Sequence, residues 1–403
     1  MSDDLPRERS QSRSATWLPA GLLIFVQMAS GMRDLPQLAF FVIYLQEQRS
    51  LLPVTISSVV AGAQIAGMFT ALLGGAITGR LGTKWVLVAG LALSAVGSLA
   101  FQVTAVWAVT LLWFIGGMGL ALVTVGSASY LTRISTHGGL GLLAAFFALS
   151  MTAGGALGNP LAGVVIERYG FAAFSWAAVA VSVVIIGVVS LLMAPAPSQA
   201  AKAASPRSLG LSMLATAGLA NVRLLIALRC LPTIFYGTLT VLIPLLLYDL
   251  SGSKVLVAAY GTTSLLVASA AQLLAGRSAD RWGARGPTLA SYAAMILAGL
   301  GLWLQAGTVW GLYVFGVLGI AAAWSLSTLM YVWVNDGVAR AEHPATFGLL
   351  HAVWSLSMIT GSVLGGWFVT TRPGVPFLIA GLLNIGSLFL IMAYYRRQSR
   401  LAV

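Results

Sequence analysis

One carboxylate stands apart from the rest of this chain. Asp34 lies in an apolar segment running from Trp17 to Tyr44, roughly three residues past its centre, whereas the other acidic residues fall in polar tails or near the ends of apolar runs. An ionised carboxylate deep in an apolar helix is costly unless it is paired, hydrated or protonated. Asp34 therefore has two functional readings, carrying protons or binding a cationic group, and one structural reading, neutralisation by Arg33. Neighbouring helical positions diverge by about 100°, so a direct pair requires the arginine to fold back, and Gln37 or water offers a bridge instead. Arg33, always charged and with five donors, equally suits a carboxylate or phosphate on a substrate. Pro36 removes a helix hydrogen bond in the same segment.

A second deep arginine, Arg229, sits about six residues inside one end of a later apolar run. It either attracts an anionic ligand or snorkels to the lipid headgroups, and the sequence favours snorkelling. Pro232, Tyr236 and Pro244 follow in that run, suggesting an irregular helix whose Tyr236 donates a hydrogen bond into a cavity. Trp113 and Trp324 are further in-span donors. His351 can titrate near neutral pH, but a single histidine in an apolar run more often has a structural role.

The same inventory excludes several chemistries. The three histidines, His137, His343 and His351, and the single cysteine, Cys230, form no metal-ligand spacing and no intrachain disulfide. There is no H-E-x-x-H, no second deep aspartate and no G-x-x-x-x-G-K-[ST] loop, so an intramembrane hydrolase and an ATP-driven pump are not expected, and no cofactor is implied.

Those residues must be held by the elements around them, and composition identifies these. The 403 residues are 59% hydrophobic and 8% charged, against roughly 45–50% and 25% in soluble domains. A spanning helix takes about 20 apolar residues, and apolar runs occur at 17–44, 54–77, 85–103, 106–130, 140–165, 172–194, 223–248, 255–275, 287–306, 309–334, 346–370 and 374–394. The expected organisation is a polar tail (1–16), six helices (17–194), a Pro/Ala/Ser-rich linker (195–222), six more helices (223–394) and a short tail (395–403). The net charge of +12 is a topology signal rather than a nucleic-acid footprint. With the N-terminus inside, only Arg49, Arg168, Lys254 and Arg372 lie outside and only Arg33 and Arg229 lie within spans, leaving sixteen of the 22 Lys and Arg on the cytoplasmic side. Both termini are thus expected in the cytoplasm, with the protein in a bacterial inner (plasma) membrane.

The two groups of six echo one another. Gly75, Arg80 and Gly82 in GAITGRLGTK superpose on Gly276, Arg281 and Gly283 in GRSADRWGAR at one offset of 201, and Gly154-x-x-x-Gly158 recurs as Gly361-x-x-x-Gly365. Paired repeats around a central linker suit alternating access; the glycine pairs suit close helix packing.

These residues carry a family resemblance. Residues 276–285 are similar to the loop signature G-x-x-x-D-R-x-G-x-R/K of the major facilitator superfamily, with Gly276, Asp280, Arg281, Gly283 and Arg285 matching. The first-half loop departs from it, with Gly79 at the aspartate position. GALGNPLAG resembles the fifth-helix motif of the superfamily's exporters, although Asn159 takes the usual proline position and Pro160 follows. Trp113, four residues before Gly117, stands about where many proton-linked members have arginine. The resemblance implies an all-α membrane protein of twelve helices in two pseudo-symmetric bundles, rocking about a cavity lined by spans one, four, seven and ten, with the signature loops gating the cycle.

The resulting expectation is a monomeric secondary transporter of small molecules, coupled to protons through Asp34 and exporting amphipathic compounds. Uptake of a small organic anion through Arg33 and Arg229 is the competing substrate reading. A non-transporting sensor of the same descent is the alternative from another class.

Overall fold

In hydrocarbon, every backbone N–H and C=O must find its partner within the chain, and a sequence this apolar answers with helices. The computed structural model describes residues 7–134, 140–194, 215–339, 343–369 and 372–401. Helices run over Arg7–Arg49 (α1), Pro53–Leu81 (α2), Thr83–Ser98 (α3, continued by a 3-10 turn, Leu99–Gln102) and Val106–Ile134 (α4). A single helical stretch, Leu140–Leu192, then turns on itself at Gly170 (φ 79°, ψ 175°), and its limbs are α5 (140–169) and α6 (171–192). The second half comprises Ala220–Ser251 (α7), Lys254–Trp282 (α8), Arg285–Gln305 (α9), Val309–Gly337 (α10), His343–Phe368 (α11) and Val375–Leu401 (α12). The expected linker lies largely outside the described residues, as do the ends of both tails.

Ten stretches are long and apolar enough to cross a membrane, and one of them, Leu149–Leu192, contains most of both limbs α5 and α6. Helix α1 is the exception by composition, because Gln27, Arg33, Asp34 and Gln37 crowd its central part; it is nevertheless packed into the bundle, with Phe40, Phe41, Ile43 and Leu45 fully buried. Exposed Trp107 and Trp310 begin α4 and α10, and exposed Trp85 and Trp282 lie at the opposite level, forming the two aromatic girdles of a spanning protein.

Local sequence accounts for the helix ends. Pro53 opens α2, where its missing N–H costs nothing. Ser253 and Thr308 cap α8 and α10 by accepting from the amides of Leu256 (3.2 Å) and Gly311 (3.1 Å). The signature loops both turn on a glycine of positive φ, Gly82 (79°) after α2 and Gly283 (81°) after α8, a backbone that L-residues rarely adopt.

The repeat is visible in packing. Helix α5 lies against α1 so closely that a Cβ at Gly154 or Gly158 would enter the backbone carbonyls of Met28 and Met32. In the other half α11 meets α7 likewise, with Gly361 against the Ile234 carbonyl and Gly365 over Thr238 and Leu242. Pro160 is exposed on α5 and leaves that helix unbroken. Between the halves, α5 packs on α8 and α2 on α11. Thr262 Oγ1 donates to the Ala156 carbonyl (3.2 Å) and Ser269 Oγ to Thr152 Oγ1 (2.9 Å), while Gly366 sits against Pro53 and Ser57.

Candidate substrate cavity

Helix α1 brings Asp34 to the wall of a cavity between the halves. Arg33 does fold back: its Nε and Nη2 donate to the two Asp34 carboxylate oxygens at 2.7 and 3.0 Å, and its Nη1 donates to Ser182 Oγ on α6 at 2.8 Å. The arginine side chain is fully buried and the aspartate 14% exposed. Arg33 therefore faces protein and positions Asp34, which faces the cavity. Gln37 lines the same chamber; its Oε1 accepts from Ser98 Oγ (3.0 Å), while its Nε2 has no partner. Trp113 on α4 is stacked on Phe41, with ring centroids 3.6 Å apart, so its indole forms an apolar wall. Gln64 of α2, Ser94 of α3, Thr124 of α4 and Ser355 of α11 also line this chamber, whose volume is about 280 Å³.

A second chamber, about 220 Å³, is cut into the other half by α7, α10 and α11. Arg229 lines it, with Nη1 donating to Ser327 Oγ on α10 at 3.2 Å. Its side chain thus turns to the cavity instead of snorkelling, because Ser327 supplies an acceptor on the inner side. Tyr236 and Trp324 meet edge to face at 6.3 Å, and both also line a smaller adjoining space of about 80 Å³ with Asn159 and Tyr260. His351 and Trp354, stacked at 5.6 Å, border both larger chambers and so join them.

All the residues singled out from sequence as cavity lining, Trp113, Arg229, Tyr236 and Trp324, are therefore brought to one connected space. His351 and Trp354 are the ones undervalued. The only sequence signal for them was their spacing on α11, three residues apart and hence on one face. The cavity walls also draw on α2, α3, α5, α8 and α11, beyond spans one, four, seven and ten.

The space is closed at one end. Where α1 meets α2 and α7 meets α8, the distal end, Lys254 Nζ pairs with Glu47 at 2.8 Å, Tyr248 OH donates to Glu47 at 3.0 Å, and Gln46 bonds Asp249. The described hydrogen bonds between the halves all lie there or near the middle. The other end is the terminal end, where α1 begins and α12 finishes. The signature loops lie at this end. Gly75 and Arg80 belong to α2 and Gly276 to α8; Arg80, Asp280, Arg281 and Arg285 are all exposed. Among the described residues no ion pair involves Asp280, and Ala284 occupies the N-cap of α9.

Two repeated bundles enclosing a central cavity are the architecture expected of an alternating-access transporter. The chain belongs to the Major Facilitator Superfamily, a family of membrane transporters, whose sequence profile matches residues 21–342. Among curated relatives, it is 27% identical over 185 residues to the class B tetracycline resistance protein of Escherichia coli and 32% identical over 155 residues to the class C protein. These matches take in 44% and 37% of this chain, and the chain spans 44% and 38% of those relatives. Among solved structures, the nucleoside transporter NupG superposes with a TM-score of 0.76 at 18% identity, over 94% of this chain and 99% of NupG. A bacterial homologue of the human drug peptide transporters PepT1 and PepT2 gives 0.73 at 13% identity, over 96% and 99%. At these identities the likeness is one of fold.

Proposed function

We propose that this chain is a proton-coupled exporter of amphipathic compounds, with Asp34 as the coupling group. The observation that carries the reading is the position of Asp34: the one carboxylate deep in a span lines the cavity, while Arg33, its ion-pair partner, is buried behind it. Protonation of Asp34 frees the charge of Arg33 and changes the cost of closing the halves around the site, so the protonation state biases one end state over the other. The partial similarity to the tetracycline resistance proteins and the mainly apolar walls support export of drug-like molecules.

In this reading the halves at 17–194 and 223–394 rock about the linker at 195–222. The terminal end faces the cytoplasm of a bacterium, in keeping with the basic loops, and the monomer in the plasma membrane is the working unit. Gly75, Arg80 and Gly82, with Gly276, Asp280, Arg281, Gly283 and Arg285, engage when that end closes. Uptake of an organic anion is a second reading, favoured by Arg229 in the cavity wall.

The test is transport by the full chain in proteoliposomes, with an imposed pH gradient and a fluorescent amphipathic dye. Gradient-dependent dye movement, abolished by a protonophore, is expected. Binding without movement under any gradient would identify a sensor.

A further inference from the structure

Among the described residues Arg229 has no ion-pair partner. Of the ten acidic residues, Asp34 alone lies in the middle of a span, and Arg33 occupies both of its oxygens. The acidic residue on α10, Asp336, is nine positions beyond Ser327, about 13 Å along the helix. Arg229 has one described protein hydrogen bond, to the neutral Ser327, against the five donors of a guanidinium. A charge removed from bulk water and left unpaired is unfavourable, and an anion arriving in the chamber relieves that cost. Four rings share the chamber with the guanidinium: the stacked His351 and Trp354 on α11, and the edge-to-face Tyr236 and Trp324 from α7 and α10.

We propose that the second-half chamber is the recognition subsite for flat aromatic substrates that carry an anionic group, with Arg229 holding the anion and these rings holding the aromatic body. This deepens the transport reading and rests on it for its biological role, since the substrate would present its anion to the half that lacks Asp34. The repeated halves then have unlike tasks: α1 supplies the protonatable group and α7, its counterpart, the anion-binding one. Bidentate geometry favours a carboxylate, which accepts two parallel N–H bonds from an arginine.

The experiment measures binding to the purified full chain by isothermal titration with three probes: 2-naphthoate, its cationic isostere 2-naphthylmethylammonium, and cyclohexanecarboxylate. Naphthoate is expected to bind at least about ten-fold more tightly than either of the others, and Arg229→Gln to weaken it by about ten- to a hundred-fold, leaving the ammonium probe unchanged. Arg229→Lys should recover part of the loss. Equal or tighter binding of the ammonium compound by the unaltered chain overturns the anion assignment even if the Arg229 variants do not fold. Equal binding of cyclohexanecarboxylate overturns the aromatic one, and no binding of any probe overturns both. Failure of the transport reading looks different: naphthoate binds through Arg229, but no gradient moves any compound across the membrane.

Discussion

Glu47→Gln tests the closure at the distal end. Glu47 accepts from Lys254 (2.8 Å) and from Tyr248 (3.0 Å), tying the α1–α2 corner to the α7–α8 corner. The pair is partly exposed, with 28% of the Glu47 side chain and 15% of the Lys254 side chain accessible, so screening keeps the ion pair at no more than about 1 kcal/mol. Losing the charge on the hydroxyl's acceptor removes a further fraction of a charged hydrogen bond, giving a total of about 1–2 kcal/mol. Both contacts span the halves and must break if the distal end opens. The substitution therefore shifts the balance toward the distally open state by a factor of roughly 5–30. The assay is labelling of Leu120→Cys, a cavity-lining position, by a membrane-impermeant maleimide applied from the distal side of oriented vesicles in a Cys230→Ala background. The rate should rise by that factor in Glu47→Gln. An unchanged rate, with the variant folded, would refute the idea that these contacts hold the closed end.

Three further outcomes follow from the packing and the topology. Gly154→Leu and Gly361→Leu each push a side chain into a facing backbone carbonyl and should lower the Tm of the purified protein by several degrees, at a cost of about 1–3 kcal/mol or more, whereas Gly21→Leu, which meets open space, should leave it unchanged. Asp280→Asn should reduce maximal transport more than apparent affinity in a flux assay, because Asp280 stands exposed at the terminal end and away from the cavity; intact turnover with weakened binding would contradict this. Single cysteines at Lys202→Cys and Gln398→Cys should label only from the cytoplasmic side and Gln48→Cys only from the other, and labelling of all three from one side would sink the topology.

The helical architecture was legible because burial in lipid imposes a simple rule on composition: each span must be apolar over its length, and basic residues collect on one side. The twofold repeat was legible in the signature loops, whose glycines at 82 and 283 adopt nearly the same backbone angles. The turn at Gly170 falls between the expected runs 140–165 and 172–194; what the sequence left open was its tightness, for a single glycine of positive φ joins the two helices. The Arg33–Asp34 pair escaped a helical-wheel argument because that argument follows Cβ directions, while an arginine is long enough to return along the helix and Ser182, on another helix, holds it there. The same limit applied to Arg229. Its depth was readable, but which way it turned depended on Ser327, nearly a hundred residues away. His351 and Trp354 gained importance only once α11 was seen to border both chambers. Periodicity along one helix says which residues share a face, but not which face meets the cavity.

The central claim, that protons drive this transporter through Asp34, is tested most directly by comparing two modes of flux in the same proteoliposomes. Asp34→Asn keeps the shape of the side chain and an acceptor for Arg33 but cannot cycle a proton. Substrate exchange at equal pH should persist in the variant at a substantial fraction of the unaltered rate, while accumulation driven by an imposed pH gradient should disappear. Full gradient-driven accumulation by Asp34→Asn would contradict the account and leave Asp34 as a structural partner of Arg33.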